Sequence, residues 1–235
     1  MLAIYKREMR SYFTTPIGYI FIGIFLAASG GIFSFCTLQM FENSDPYSYF
    51  TFLLFGFVVL IPLLTMKLFS EERKLKTEQL LLTAPVSLMG MVMAKFLAAY
   101  TMFAITFLTS CCNFFILPLY GSVNGAILAG NIISILLVGG AFIAIGVFVS
   151  SLSENQLNAA IGTIAILLVL LVVSFASAYI DIAFIREILS WVSIFTRYHD
   201  FTYGVFNYSA LLYYLSIAFV FLFLTVRVYE KRRWD

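Results

Sequence analysis

The sequence predicts an all-α polytopic membrane protein with six transmembrane helices. Three observations carry that reading. Charged residues make up only 11% of the 235 residues, and mean hydropathy is +1.00; a soluble globular domain carries about 25% charged residues. Six apolar runs, at residues 17–38, 49–66, 96–119, 132–150, 159–180 and 210–226, contain no Asp, Glu, Lys, Arg or His. Finally, Lys and Arg fall almost entirely on one side of the topology those runs define.

The first element is a helix over residues 1–15. On a helical wheel Leu2, Tyr5, Met9, Tyr12 and Phe13 share one face, while Lys6, Arg7, Glu8 and Arg10 occupy the rest. This is the pattern of an interfacial helix lying on the membrane, with Lys6, Arg7 and Arg10 toward anionic headgroups. Pro16 ends it before the first span. No A-x-A-like cleavage site follows the first run, so no cleavable signal is expected.

The six runs are 22, 18, 24, 19, 22 and 17 residues long. Crossing ~30 Å of hydrocarbon takes about 20 helical residues, so each can span. A charge at the centre of a span costs roughly 2.5–3.5 kcal/mol, which accounts for their composition. Twelve of the fourteen Lys and Arg lie in the N-terminus, the loop between spans two and three, the loop after span four, and the C-terminus. The positive-inside rule then puts both termini in the cytoplasm. A net charge of +2 is too small to imply a nucleic-acid partner.

The outer loops differ in kind. Residues 39–48 are acidic and turn-rich, and 120–131 are Gly-rich and uncharged. In 181–209, Ile182, Ile185, Ile188, Leu189, Val192 and Phe195 recur at helical spacing. One or two short amphipathic helices entering the outer leaflet are expected there. Cys36, Cys111 and Cys112 read as buried small hydrophobes, with no disulfide or metal framework.

The charged exception is Ser70-Glu71-Glu72-Arg73-Lys74-Leu75-Lys76-Thr77-Glu78-Gln79-Leu80-Leu81-Leu82-Thr83-Ala84-Pro85. Ser70 is expected to cap a helix, with Glu71 and Glu72 in its first turn. Glu71–Lys74, Glu72–Lys76 and Lys74–Glu78 have i,i+3 or i,i+4 spacing, each pair adding about 0.2–0.5 kcal/mol. Pro85 ends the helix, and Ser87 is placed to cap the next. Neither the two adjacent glutamates nor the following leucines are needed for positive-inside orientation. A charged head and apolar tail suit a helix that docks in a groove of a soluble partner.

Catalytic chemistry is not expected of the chain. It lacks a G-x-x-x-x-G-K-[ST] phosphate loop, H-E-x-x-H and G-x-S-x-G, and its one histidine is His199, beside Asp200. Charge-free spans disfavour a secondary transporter, which usually needs an ionisable group at membrane depth.

Leu68-Phe69-Ser70-Glu71-Glu72-Arg73-Lys74, then Thr77 and Leu80-Leu81-Leu82-Thr83-Ala84-Pro85, resembles the cytosolic segment of ABC-2-type permeases. It resembles in particular the gliding-motility (GldF-like) type, related to permeases of nitrous-oxide-reductase maturation. The opening Leu2-Ala3-Ile4-Tyr5-Lys6-Arg7-Glu8-Met9-Arg10, the stretch Ser150-Ser151-Leu152-Ser153-Glu154-Asn155-Gln156, and the Tyr213-Tyr214 and Arg232-Arg233-Trp234 pieces also resemble that family. Where such permeases often carry a glycine, this chain has Lys76. The later family glutamate is either replaced by Gln79 or displaced to Glu78.

The resemblance implies one permease domain of the type V (ABC-2) exporter fold in the bacterial cytoplasmic membrane. Residues 1–15 would be its connecting helix, 70–86 its cytosolic coupling helix, and 181–209 its extracellular re-entrant segment. The implied partners are an ABC ATPase subunit, a second permease as homodimer or heterodimer, and an extracytoplasmic accessory protein. ATP and Mg would be bound by the ATPase, leaving this chain without a cofactor of its own. Glu71, Glu72, Arg73, Lys74, Thr77, Glu78, Leu80, Leu81 and Pro85 would form the ATPase contact. The implied function is export or movement of an unidentified substrate. The alternative is mechanical action on an extracytoplasmic partner, without transport.

Overall fold

The computed structural model describes residues 1–35, 47–79, 86–115, 125–179 and 207–234, with Glu187, Ser193, Ile194, Arg197 and Tyr198. Among the described residues the chain is helical throughout, with no strand. The helices are α1 (Leu2–Thr14), α2 (Pro16–Ile32), α3 (Tyr47–Thr65), α4 (Lys67–Lys74), α5 (Leu88–Ser110), α6 (Gly125–Leu152), α7 (Gln156–Tyr179) and α8 (Tyr208–Trp234). Six stretches are long and apolar enough to cross a membrane: Pro16–Phe35, Ser48–Lys74, Leu88–Phe115, Gly125–Leu152, Gln156–Ala176 and Tyr208–Arg233. Each contains most of one run expected from the sequence.

The corner between α1 and α2 follows from local chemistry. Thr15 is extended, at φ −103° and ψ 152°, and Pro16 opens α2. A proline at the first helical position loses no bond, because that N–H has no intrahelical acceptor. A Cβ on Gly18 would overlap the Tyr12 carbonyl, so the two helices meet this closely only with glycine there.

The helices differ from the apolar runs mainly at their ends. Ser87 caps α5, its Oγ accepting from the Gly90 amide at 3.2 Å, as its position in the sequence predicts. α5 therefore starts eight residues before the apolar run and carries Lys95 in its third turn. α6 starts at Gly125, inside what the glycines suggest is a loop; Ala126, Ile127 and Leu128 extend the helix. Glycine is more frequent in membrane helices than in soluble ones.

α3, α5 and α6 occupy the middle of the bundle, while α2, α7 and α8 keep most of their surface outward. Aromatic rings join the middle helices to α2. Phe25 lies 6.0 Å from Phe57 and 6.2 Å from Phe103, and Phe103 stacks on Phe107 at 6.1 Å. Such pairs add about 0.5–1.5 kcal/mol each beyond their burial. A Cβ on Gly146 would overlap Thr65, so this glycine sets how closely α6 crosses α3.

The cysteines depart from expectation. Cys111 is half-buried and Cys112 exposed, because they lie on the 3₁₀ turn Cys111–Phe115 that closes α5 rather than in its packed interior. Cys36 lies outside the described residues, as does most of the segment expected to re-enter the outer leaflet. Of its described members, Tyr198 is buried and donates to Asn131 Oδ1 on α6 at 2.8 Å. The Ile194 carbonyl accepts from the Tyr214 hydroxyl on α8, also at 2.8 Å.

Candidate functional site

The charged stretch does not begin a new helix at Ser70. α4 follows α3 with only Met66 between them, so Ser70 lies mid-helix, fully buried, with its hydroxyl turned back to the Met66 carbonyl. The cap comes instead from another helix. Ser150 Oγ of α6 accepts from the Phe69 and Ser70 amides at 3.1 and 3.3 Å and donates to the Met66 carbonyl at 3.1 Å. Glu71 and Glu72 consequently fall in the last turns of α4, not its first.

α4 ends in a Schellman turn. The Thr77 amide donates to the Glu72 carbonyl at 3.0 Å, and the Lys76 amide to the Arg73 carbonyl at 3.1 Å. Lys76 has φ 57°, the left-handed conformation that glycine adopts most readily. This is the position at which the resembled permeases often carry glycine.

Glu72 turns inward. Its Oε1 meets Lys95 Nζ at 3.0 Å and pairs with Arg7. Lys95, with no exposed surface, also donates to Glu8 Oε1 at 2.9 Å and to the Leu68 carbonyl at 2.6 Å. Arg7 closes the ring onto Glu8 at 2.7 Å. The amine's three donors are thus all used, and two carboxylates share two cations. Burial pushes the Glu8 carboxyl up, but the charges and hydrogen bonds of Lys95 and Arg7 outweigh it and hold Glu8 below its ordinary value. The cluster joins α1, α4 and α5, from positions far apart in sequence.

Three further attachments surround it. Lys67 donates to Ser11 Oγ at 3.1 Å and Thr15 Oγ at 3.0 Å, above the Tyr12 ring. Arg73 donates to the Leu152 carbonyl at 2.8 Å and pairs with Glu154 at 2.6 Å. Arg232 of α8 pairs with Glu78 at 3.1 Å and donates to the Ser151 carbonyl at 2.8 Å, while Tyr229 packs on Phe69.

The local ion pairs expected at i,i+3 and i,i+4 spacing are not those that form. Glu72 and Glu78 pair with distant residues, and Glu71 and Lys74 enter no ion pair among the described residues. Lys74, Leu75, Lys76 and Thr77 are exposed at the tip. Leu80, Leu81 and Pro85 lie outside the described residues. Lys6, Arg7 and Arg10 are exposed on α1, Arg7 pairing with Glu8 and Glu72, while Glu8 is buried beside Ile4 and Tyr12, because Lys95 draws it in. Leu2 and Phe13, assigned to the apolar face, are exposed.

Glu8 and Lys95 are the residues that sequence reasoning did not single out for the site. A signal was present in each case: Glu8 is the one acid among the basic residues of α1, and Lys95 stands at the margin of an apolar run.

Six helices apolar enough to span, with a charged end where α1, α5 and α6 are bonded to one short helix and α8 to Glu78 beyond it, define a polytopic membrane protein. The chain belongs to the ABC-2 family: a family model described as ABC-2 family transporter protein matches residues 3–234. It is a membrane component of an ABC transporter. No curated protein matches it.

Proposed function

We propose that this chain is the permease subunit through which a separate ATPase drives movement of a substrate across the bacterial cytoplasmic membrane. In this reading residues 70–86 are the coupling segment, α1 is the connecting helix, and both termini face the cytoplasm. Two permeases stand side by side above two ATPase subunits. The resemblance to gliding-motility permeases belongs to the same proposal.

The observation that carries it is the set of bonds around α4. A push on the segment is passed to α1 and α5 through Glu72, Lys95, Glu8 and Arg7. Ser150 passes it to α6, and Arg232 to α8. α4 also continues directly from α3. A displacement of the segment therefore moves the ends of several spans together, as a lever requires. The chain has no phosphate-binding loop, so the work comes from its partner.

The test has two stages. Detergent-solubilised protein, expressed with its neighbouring genes, is expected to bring down an ATPase. Sealed vesicles carrying that complex are then expected to move substrate only when ATP is on the side of the charged end. Failure to recover any ATPase overturns the proposal.

A further inference from the structure

We propose that Arg197 and Ser209 hold the phosphate of a membrane phospholipid, with one acyl chain lying along the outward face of α8. The site is at the end of the bundle away from the charged cluster. At 1.5 Å per residue, Ser209 and Arg232 of α8 stand about 35 Å apart, just over the ~30 Å of hydrocarbon. Arg232 belongs to the charged end, so Arg197, bonded to Ser209, lies at headgroup depth on the opposite side. The site needs only a bundle that spans a membrane, in either orientation.

Arg197 is a cation without a counter-charge: it enters no ion pair among the described residues. Of the five N–H groups of a guanidinium, one makes a hydrogen bond there, from Nη1 to Ser209 Oγ at 3.3 Å. Its Nε is buried and has no acceptor among the described residues. Water therefore solvates the charge incompletely, and an anionic acceptor gains more here than on an open surface.

The guanidinium is also held in place. It lies over the Tyr213 ring, 4.4 Å from the centroid. Tyr213 packs on Tyr214 at 5.6 Å, and the Tyr214 hydroxyl is fixed by the Ile194 carbonyl. A planar group set against a ring presents its remaining donors in a fixed direction, which suits the paired oxygens of a phosphate. α8 also begins here, with Asn207 Oδ1 accepting from the Ser209 amide at 2.9 Å, and its dipole adds positive potential beside Ser209.

The face of α8 below the guanidinium selects a lipid over a free phosphate. Tyr208, Leu212, Leu215 and Phe219 recur at i, i+4, i+7 and i+11, and each is more than half exposed. Ser209 borders the head of that stripe. The stripe runs about 16 Å, roughly half the hydrocarbon core and the depth one acyl chain fills. A free phosphate gains nothing from it, whereas a phospholipid meets the cation and the stripe together.

The experiment titrates the delipidated full-length chain in detergent with dioleoylphosphatidylglycerol and counts bound lipid by native mass spectrometry. Dioleoylglycerol, with the same acyl chains and no phosphate, is the comparison. The phospholipid is expected to bind about tenfold tighter. Arg197→Gln should remove most of that factor. Arg227→Gln should leave it unchanged, because Arg227 is already paired with Glu230. Equal binding of the two lipids overturns the phosphate site, and so does undiminished phospholipid binding by Arg197→Gln. Displacement of the lipid by millimolar inorganic phosphate assigns the site to a soluble anion and overturns the lipid. If Arg197→Gln does not fold, the two-lipid comparison and the phosphate competition on wild type decide the matter.

Discussion

Replacing Lys95 with methionine tests the buried hub where its charges meet. Methionine approximates the volume of the lysine stem, so packing beside Phe69 is largely kept and the ammonium is lost. Three acceptors lose their donor: Glu8 Oε1 at 2.9 Å, Glu72 Oε1 at 3.0 Å and the Leu68 carbonyl at 2.6 Å. Removing one member of a buried ion pair costs about 3–5 kcal/mol. Arg7 still reaches both carboxylates, and its side chain is 52% exposed, so the lower end applies, about 3 kcal/mol. For a chain of this size that is a fall of about 6–12 °C in melting temperature. Thermal unfolding of the detergent-purified protein, followed by intrinsic fluorescence, reads it directly. A variant melting within about 2 °C of wild type would refute the hub as a stabilising unit.

A second variant separates stability from transmission. Glu8→Gln, Glu72→Gln and Lys95→Met together leave no buried charge within the hub itself, and Arg7 can be solvated by water. Its stability is expected to return to within about 1 kcal/mol of wild type, since neutral replacement of a buried ion cluster is often harmless. ATP-driven flux is expected to stay low, because the neutral groups no longer fix the register of α1 against α4. Full recovery of flux would show that shape, not charge, carries the proposed coupling.

Lys76→Gly is expected to raise stability by about 1 kcal/mol by removing the side chain from a left-handed residue, while Lys76→Val lowers it; melting curves of both check this. Because the Glu8 carboxyl is held below its ordinary value of 4.5, its stabilising contribution is present above that pH and is lost as pH falls through the depressed value. Glu8→Gln should therefore flatten the acid limb of melting temperature against pH. Gly146→Val drives a Cβ onto Thr65 and is expected to cost about 1–3 kcal/mol, read as reduced yield of folded protein in size-exclusion chromatography and a lower melting temperature.

The spans were legible because a bilayer filters composition harshly: a charge-free run of about 20 residues has few other fates. The cap at Ser87 was legible for a local reason, the serine standing three residues before the amide it accepts from. The hub was not. Helical pair rules see partners three or four residues away, whereas Glu8 and Lys95 lie 87 positions apart and Glu78 and Arg232 lie 154 apart. The same rules placed Ser70 as a cap because they treat the charged stretch as a fresh start. In the fold α3 runs on through Met66, and Ser150, 84 residues from Met66, takes the capping role.

That difference changes how a mutation in the stretch must be interpreted. Arg7, Glu72, Arg73, Ser150 and Arg232 come from sequence pieces that resemble permease motifs separately, and folding assembles them at one end of the bundle. Glu72→Ala removes partners from both Arg7 and Lys95, leaving a buried ammonium short of one counter-charge. Under the proposed coupling role, such a variant would uncouple ATP use from transport by loosening α1 and α5, even if Glu72 never touches the ATPase. Loss of coupling at Glu72 therefore does not locate the docking surface. If the proposed coupling holds, loss at Lys74 or Leu75 would locate it, provided the melting temperature holds, because both side chains are exposed and neither enters an ion pair among the described residues.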